Sequence, residues 1–356
     1  MTQSSPLSLY PVGYILDTRF LEHTTPSEHL ERPDRLKSIE KMLEISEIKN
    51  RLKPIKAKKV DPDLVSQIHS QKVLKTLQES SQQSFTCFDT DTYGGPSSFD
   101  VALLAAGSGV ELTRKVLNGT LGCGFALIRP PGHHAESNRI MGFCLLNNVA
   151  LAAQAALQKT GVDRVAIVDF DVHHGNGTQE IFYSRSDVFY LSVHQYPLYP
   201  GTGILFENGQ NQGLGFTANF PLPSKLGDSI YATLFADMLC PLVEAFRPDI
   251  ILVSAGYDAH KEDPLADMEL SEAGFRQITR QLNQLAAATC QGRIVYFLEG
   301  GYNLKALAAS VTATIGETLS PKKKGYIRDE SDFYKRYRKQ VVSQLGNWWP
   351  ILRNKE

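Results

Sequence analysis

Along this chain, short runs that are apolar at almost every position alternate with longer stretches in which apolar residues recur every three or four. The short runs are Gly13–Leu16 (GYIL), Gly124–Ile128 (GFALI), Val165–Phe170 (VAIVDF), Val188–Val193 (VFYLSV), Ile250–Ala255 (IILVSA) and Ile294–Leu298 (IVYFL). Each is rich in β-branched or aromatic residues and has no polar face, as a strand buried on both sides of a parallel sheet requires. The longer stretches are FDVALLAAGSGVELTRKVL, LLNNVALAAQAALQK, GDSIYATLFADMLCPLVEAF and SEAGFRQITRQLNQLAAAT. They predict helices, and Ser271 with Glu272 ahead of the last apolar stripe marks a capped start. Strand–helix alternation over most of the chain predicts one doubly wound α/β domain, without linker, repeat or low-complexity tract.

Beyond residue 320 the pattern changes. SPKKKGYIRDESDFYKRYRKQ carries a Lys322–Lys324 run and the cluster Lys335, Arg336, Arg338 and Lys339. The chain therefore divides into a main domain over 1–320 and a basic helical extension over 321–356, packed on or next to it. Charge runs of this kind usually mean a solvated helix; the functional alternative is a docking surface for an acidic partner.

Composition narrows the classes. The 356 residues are 42% hydrophobic and 21% charged, ordinary globular values, and the net charge of −1 provides no global attraction to nucleic acid or an anionic membrane. No apolar run approaches the roughly 20 residues of a membrane helix. The first residues show neither the basic nor the long apolar region of a signal peptide. Cys87, Cys123, Cys144, Cys240 and Cys290 are odd in number and scattered. Free thiols in a reducing, cytoplasmic compartment are the expectation.

In open α/β sheets, ligands bind beyond the carboxyl ends of the strands. There this chain places RPPGHHAE (with His133 and His134), DVHHGNG, His194 followed by YPGTG, GYDAHKEDP (with Asp258) and EGGYN (with Tyr302). In an extended segment Asp169, Asp171 and His173 form one row. Asp171 and His173 make a two-ligand metal site, and Asp258 can supply a third donor. Two oxygens and one nitrogen, with a position left for water, fit a catalytic zinc site. Asp169 can accept from one imidazole of the His133–His134 pair and Asn176 from the other, separating them in basicity. Glycines before Tyr302 let its phenol reach the site and donate to an oxyanion. There is no G-x-S-x-G elbow, no phosphate loop, and GNGTQE has Glu180 where a dinucleotide fingerprint needs its third Gly.

Together, RPPGHHAE, GFCLLNNVA, VDFDVHHGNGTQEIF, YPGTG, VSAGYDAHKEDPL and LEGGYN resemble the zinc-dependent histone deacetylase family, in particular its class II and bacterial deacetylase-like branch. LERPDRL (Leu30–Leu36) and DTYGGPSSF (Asp91–Phe99) extend the likeness upstream. The resemblance implies the arginase/deacetylase fold, a three-layer α/β/α domain whose mainly parallel sheet has about eight strands. It implies Asp171, His173 and Asp258 as zinc ligands, His133 paired with Asp169, and His134 paired with Asn176 as general base and acid. Asn176 fits the class II branch, and Tyr302, a Tyr rather than a His, implies real activity. Gly142 and Phe143 would line an acyl-lysine channel, faced by Tyr199 where many relatives carry a second Phe. A structural potassium ion would use Asp169, Ser192 and the carbonyls of Asp171 and His173. Arg35 would lie on an acetate exit path and Asp91 at the rim that grips substrate.

The expected function is hydrolysis of N-acetyl-lysine in a protein or peptide by a metal-activated water. The alternatives are an acetylpolyamine or other small-acetamide hydrolase and a metal-bound binding protein without turnover. Leu265 bears on the choice, because polyamine-selective relatives in this branch carry a Glu there.

Overall fold

The computed structural model describes residues 10–322 and 325–353. The strands are β1 (Val12–Ile15), β2 (Lys53–Pro54), β3 (Thr86–Asp89), β4 (Thr92–Gly94), β5 (Cys123–Ala126), β6 (Val165–Asp169), β7 (Val188–Gln195), β8 (Thr217–Leu222), β9 (Ile250–Ala255) and β10 (Ile294–Leu298). The helices are α1 (Asp34–Ile45), α2 (Pro62–Val65), α3 (Gln71–Ser80), α4 (Ser98–Leu117), α5 (Asn148–Leu157), α6 (Asn176–Phe182), α7 (Asp228–Leu234), α8 (Cys240–Phe246), α9 (Glu272–Thr289), α10 (Leu304–Leu319) and α11 (Asp332–Leu345).

Eight strands form one parallel sheet in the order β2-β1-β5-β10-β9-β6-β7-β8, and β3–β4 is a separate antiparallel hairpin. Every residue of β6, β9 and β10 is buried, so helices cover both faces of the sheet centre. The apolar runs predict β9 and β10 to the residue and four further strands to within one or two. The edge strands escape that pattern. β2 is two exposed residues, and β8 (TANFPL) interrupts its apolar positions with Asn219 and Pro221. Register brings the carboxyl ends together: Asp169 sits between Ser254 of β9 and Ser192 of β7, while Leu298 pairs with Ala255. The segments after β10, β9, β6 and β7 therefore leave the sheet side by side.

One stretch corrects the sequence reading. Asp228–Phe246 is one continuous helix, α7 and α8 joined through a π turn at Phe235–Leu239, and it reaches the length and apolarity of a membrane span. Most of it is buried inside the protein, packed on α9. The basic extension packs on the main domain. Tyr334, Tyr337, Val341, Leu345 and Leu352 join the same buried cluster as the sheet. Trp349 stacks on Phe189 of β7 at 4.9 Å and donates to the Gly215 carbonyl. Lys335, Arg336 and Lys339 face solvent; Lys323 and Lys324 of the upstream run, and the first nine residues, lie outside the described residues.

The segment from β5 to α5 is pinned by a buried imidazole. The His69 Nδ1 lies 3.0 Å from the Glu136 carbonyl, and its Nε2 accepts the Asn147 N–H at 2.9 Å. Asn147 in turn caps α5 through Ala150 N–H and donates to the Ala135 carbonyl. With both ring nitrogens committed in the neutral form, burial pushes the His69 pKa down to about 4 from 6.5. Unfolding releases this histidine to its ordinary value, so the unfolded chain binds the extra proton. Its contribution is complete above about pH 6.5 and is lost as pH falls toward 4, by up to about 3 kcal/mol. The stability gap between wild type and His69→Gln is therefore expected to narrow between pH 7 and pH 4. Urea unfolding across that range checks it, and parallel curves would refute the assignment.

Candidate active site

β6 ends at Asp169, so the row of alternating side chains expected from an extended strand stops there. Asp171 and His173 lie in bends beyond it. The Asp171 Oδ1 accepts the His173 N–H at 2.9 Å, a local turn that brings the imidazole back over the carboxylate. Asp258, three residues past β9, is fixed by the Val172 N–H at 3.0 Å. The His173 Nδ1 then lies 3.2 Å from Asp171 Oδ1 and 3.1 Å from Asp258 Oδ2. Donor atoms of these three buried residues all fall within 4.8 Å of one another. Gly256 and Gly300 make the approach possible, because a Cβ at either position would collide with Asp171 or Asp258. The Gly300 N–H donates to Asp171 Oδ2 at 2.8 Å.

The histidine pair sits on the turn after β5. His133 Nδ1 is 3.0 Å from Asp169 Oδ2, and His134 Nδ1 is 2.8 Å from Asn176 Oδ1. The Asn176 amide is oriented by its own donation to Glu136 at 2.7 Å, which leaves its oxygen facing His134. An amide oxygen only accepts, so the hydrogen bonding assigns the proton to His134 Nδ1 and leaves Nε2 as a free base. Burial opposes charge on His133, but the Asp171 and Asp169 carboxylates outweigh it and push the imidazole up to about 10. Burial, followed by the charges of His133 and His173, holds His134 well below the ordinary value. Adjacent residues thus have opposite protonation states at neutral pH.

A cavity of about 200 Å³ opens onto this group. His134, His173 and Tyr302 form its floor chemistry, and Gly142, Phe143, Tyr199, Leu265 and Asp91 contribute to its lining, as does Leu198, which the sequence did not single out. The ring of Tyr199 meets His134 edge-on at 5.1 Å, and Phe143 meets Tyr302 edge-on at 5.7 Å. Phe143 is held by its N–H on Thr92 Oγ1 at 3.0 Å and by His29, whose ring lies 4.6 Å away. His29 Nε2 also lies 3.1 Å from the Asp91 carbonyl, tying the β3–β4 hairpin to the cavity wall.

Arg35 is completely buried behind the site. Its guanidinium donates to the carbonyls of Gly301 (2.7 Å) and Glu299 and to Glu31, and lies 5.0 Å over the Tyr302 ring. Ser192 stands beside Asp169 in the neighbouring strand, with its hydroxyl 2.8 Å from His194 Nδ1. Two acids that sequence reasoning missed complete the surroundings. Glu299 accepts the N–H groups of Gly132 (2.6 Å) and His133 (3.2 Å), and burial pushes its carboxyl up to about 7 despite the charge of His133. Asp263 accepts the Tyr302 N–H at 2.7 Å. Both lie inside motifs that were read, LEGGYN and HKEDPL, so their position was a signal that went unused.

A family model for the histone deacetylase domain matches residues 29–318. The chain belongs to the histone deacetylase family. Histone deacetylase 15 of Arabidopsis thaliana is 40% identical over 321 residues, covering 88% of this chain and 57% of that protein. A probable deacetylase of Archaeoglobus fulgidus is 39% identical over 299 residues, 82% of each chain. The crystal structure of the HDA15 HD domain superposes with a TM-score of 0.90 at 37% identity, over 97% of this chain and 96% of that one. The eight-stranded sheet is accordingly the arginase/deacetylase fold. The chain spans under two thirds of the plant relatives it matches, from 57% to 60% of the first three.

The donor set suits a metal ion. Two carboxylates and one imidazole converge in a buried site, and among the described residues no lysine or arginine forms an ion pair with either acid. Each chain is expected to bind one divalent transition-metal ion there, and Asp258→Ala to lose it. Elemental analysis of both purified proteins checks this; full metal retention by the variant would remove Asp258 from the donor set.

Proposed function

We propose that the chain is a zinc-dependent deacetylase that hydrolyses the acetamide of N-acetyl-lysine in a peptide or protein to a free amine and acetate. The observation that carries this reading is convergence: a free imidazole base, a buried phenol and the His173 of an Asp–His–Asp donor set border one cavity. Zinc held by Asp171, His173 and Asp258 would supply Lewis acidity, polarising the acetamide carbonyl and acidifying water.

The protein groups then divide the proton transfers. His134 Nε2 takes a proton from the attacking water as the new C–O bond forms. Its low basicity makes the resulting imidazolium a good acid, so it returns that proton to the nitrogen as the C–N bond breaks. His133 remains charged on Asp169 and contributes positive potential beside the developing oxyanion. Tyr302 donates its phenolic hydrogen to that oxyanion. Burial raises the Tyr302 pKa well above the ordinary value, which keeps the donor protonated. A potassium ion using Asp169, Ser192 and the carbonyls of Asp171 and His173 belongs to the same proposal, as does a reducing cytoplasmic location for the five free cysteines.

Substrate choice rests on the lining. Leu265 offers no charge to hold a distant ammonium, which favours acyl-lysine. Asp91 favours the second reading, an acetylated polyamine, since it is a carboxylate at the cavity. A kinetic panel of acetyl-lysine peptides, longer acyl-lysines and acetylated polyamines separates the two.

Replacing the phenol tests the electrophilic half of the mechanism. Tyr302→Phe is expected to lower kcat by about 10²–10³ while moving KM only a few-fold, since an oxyanion donor acts mainly in the transition state. The metal content stays unchanged because Tyr302 is not a ligand. Steady-state kinetics on one acetyl-lysine peptide checks this; a kcat within about threefold of wild type would remove Tyr302 from the role. His134→Ala should likewise abolish most turnover with the metal in place, and near-wild-type activity would mean that another base acts.

A further inference from the structure

The segment that carries Tyr302 opens with two residues of wide intrinsic backbone freedom. Gly300 and Gly301 precede it, and Gly301 takes a φ of 114°, a conformation open mainly to glycine. A phenol that must meet an oxyanion within a fraction of an ångström needs a firmer anchor than a diglycine turn. Its ring is braced by Phe143 and Arg35, and Arg35 also holds the Glu299 and Gly301 carbonyls, but neither meets the Tyr302 N–H.

Asp263, in the loop between β9 and α9, does so. Its Oδ2 accepts the N–H of Tyr302 at 2.7 Å and of Asn303 at 3.3 Å. Its Oδ1 accepts the N–H of Leu265 at 3.1 Å. Asn303 closes the clasp in the other direction, donating to the Glu262 carbonyl at 3.0 Å. The Asp263 side chain is buried, and among the described residues it makes no ion pair with a basic side chain. Its three recorded side-chain partners are backbone N–H groups, from two segments that each contribute a residue to the cavity. Only a carboxylate can serve both segments, since an amide would turn an NH₂ against one set of donors.

We propose that Asp263 is the positioning residue for Tyr302, setting the phenol in register with the reacting carbonyl and holding the Leu265 wall to the same reference. This rests on the reading of Tyr302 as oxyanion donor. If the carboxylate merely stabilised the loop, removing it would lower stability without acting through Tyr302.

The test is a double-mutant cycle in the metal-loaded full chain, pairing Asp263→Asn with Tyr302→Phe. Alone, Asp263→Asn is expected to lower kcat on an acetyl-lysine peptide by about 10–100-fold with KM within a few-fold, the scale of a small misplacement. In the Tyr302→Phe background the same change should cost less than about threefold, because the group it positions is gone. An equal loss in both backgrounds, or a variant that no longer unfolds cooperatively, would overturn the proposal in favour of a structural role. Amide hydrogen exchange supplies an arm independent of activity. The Tyr302 and Asn303 amides should exchange faster in Asp263→Asn, and unchanged rates would overturn the proposal. A wild type that hydrolyses no acetylated substrate would sink the functional reading, and the exchange arm would still decide whether Asp263 anchors this backbone.

Discussion

Burying several carboxylates at one edge of a sheet is the constraint around which this protein is organised. Asp169, Asp171 and Asp258 are fully buried, and each ion taken out of water costs several kcal/mol unless its lone pairs are met. The fold meets them with whatever the strand ends present. Asp169 receives the Tyr190 hydroxyl and the Asp171 N–H and faces His133. Asp171 receives the His173 and Gly300 N–H groups, and Asp258 the Val172 N–H. These donors hold the carboxylates in place with one oxygen of Asp171 and one of Asp258 at 3.2 and 3.1 Å from His173 Nδ1, the clustering of donor atoms that a metal ion requires.

The same concentration of charge sets the basicity of the histidines. Two neighbouring imidazoles on one turn diverge because His133 faces carboxylates and His134 faces an amide. The positive charge that His133 acquires then further suppresses charge on His134. One residue becomes a fixed cation and the next a neutral base, and the difference comes from what stands opposite rather than from the side chains themselves.

Behind the reacting groups lies a layer of buried acids and arginines. Glu31 pairs with both Arg35 and Arg129, and these three side chains are completely buried. Removing one partner from such a network leaves uncompensated buried charge, so the network is rigid in practice. Arg35 carries that rigidity to the Glu299 and Gly301 carbonyls, and Glu299 carries it on to the backbone of Gly132 and His133. The aromatic cavity walls meet the residues that follow these braced segments edge-on, Phe143 at Tyr302 and Tyr199 at His134.

The sequence by itself determined the central strands, because burial on both faces leaves a continuous apolar run that any reader can find. It also determined which residue types stand at the carboxyl ends: Asp171 and His173 close together, His133 and His134 adjacent, Tyr302 after two glycines. The edge strands β2 and β8 were not legible, since an edge needs neither a full apolar run nor a particular length. The residue pattern alone left open which imidazole met Asp169 and which Asn176; the family likeness implied His133 with Asp169 and His134 with Asn176, contacts that span 36 and 42 residues. Only the tertiary structure decided the partnerships no motif announced: Asp263 reaches Tyr302 across 39 residues. The Arg35 guanidinium reaches the Gly301 carbonyl across 266. Such pairings depend on strand order and register. Periodicity reports whether a side chain is buried, and strand order decides which groups share that burial.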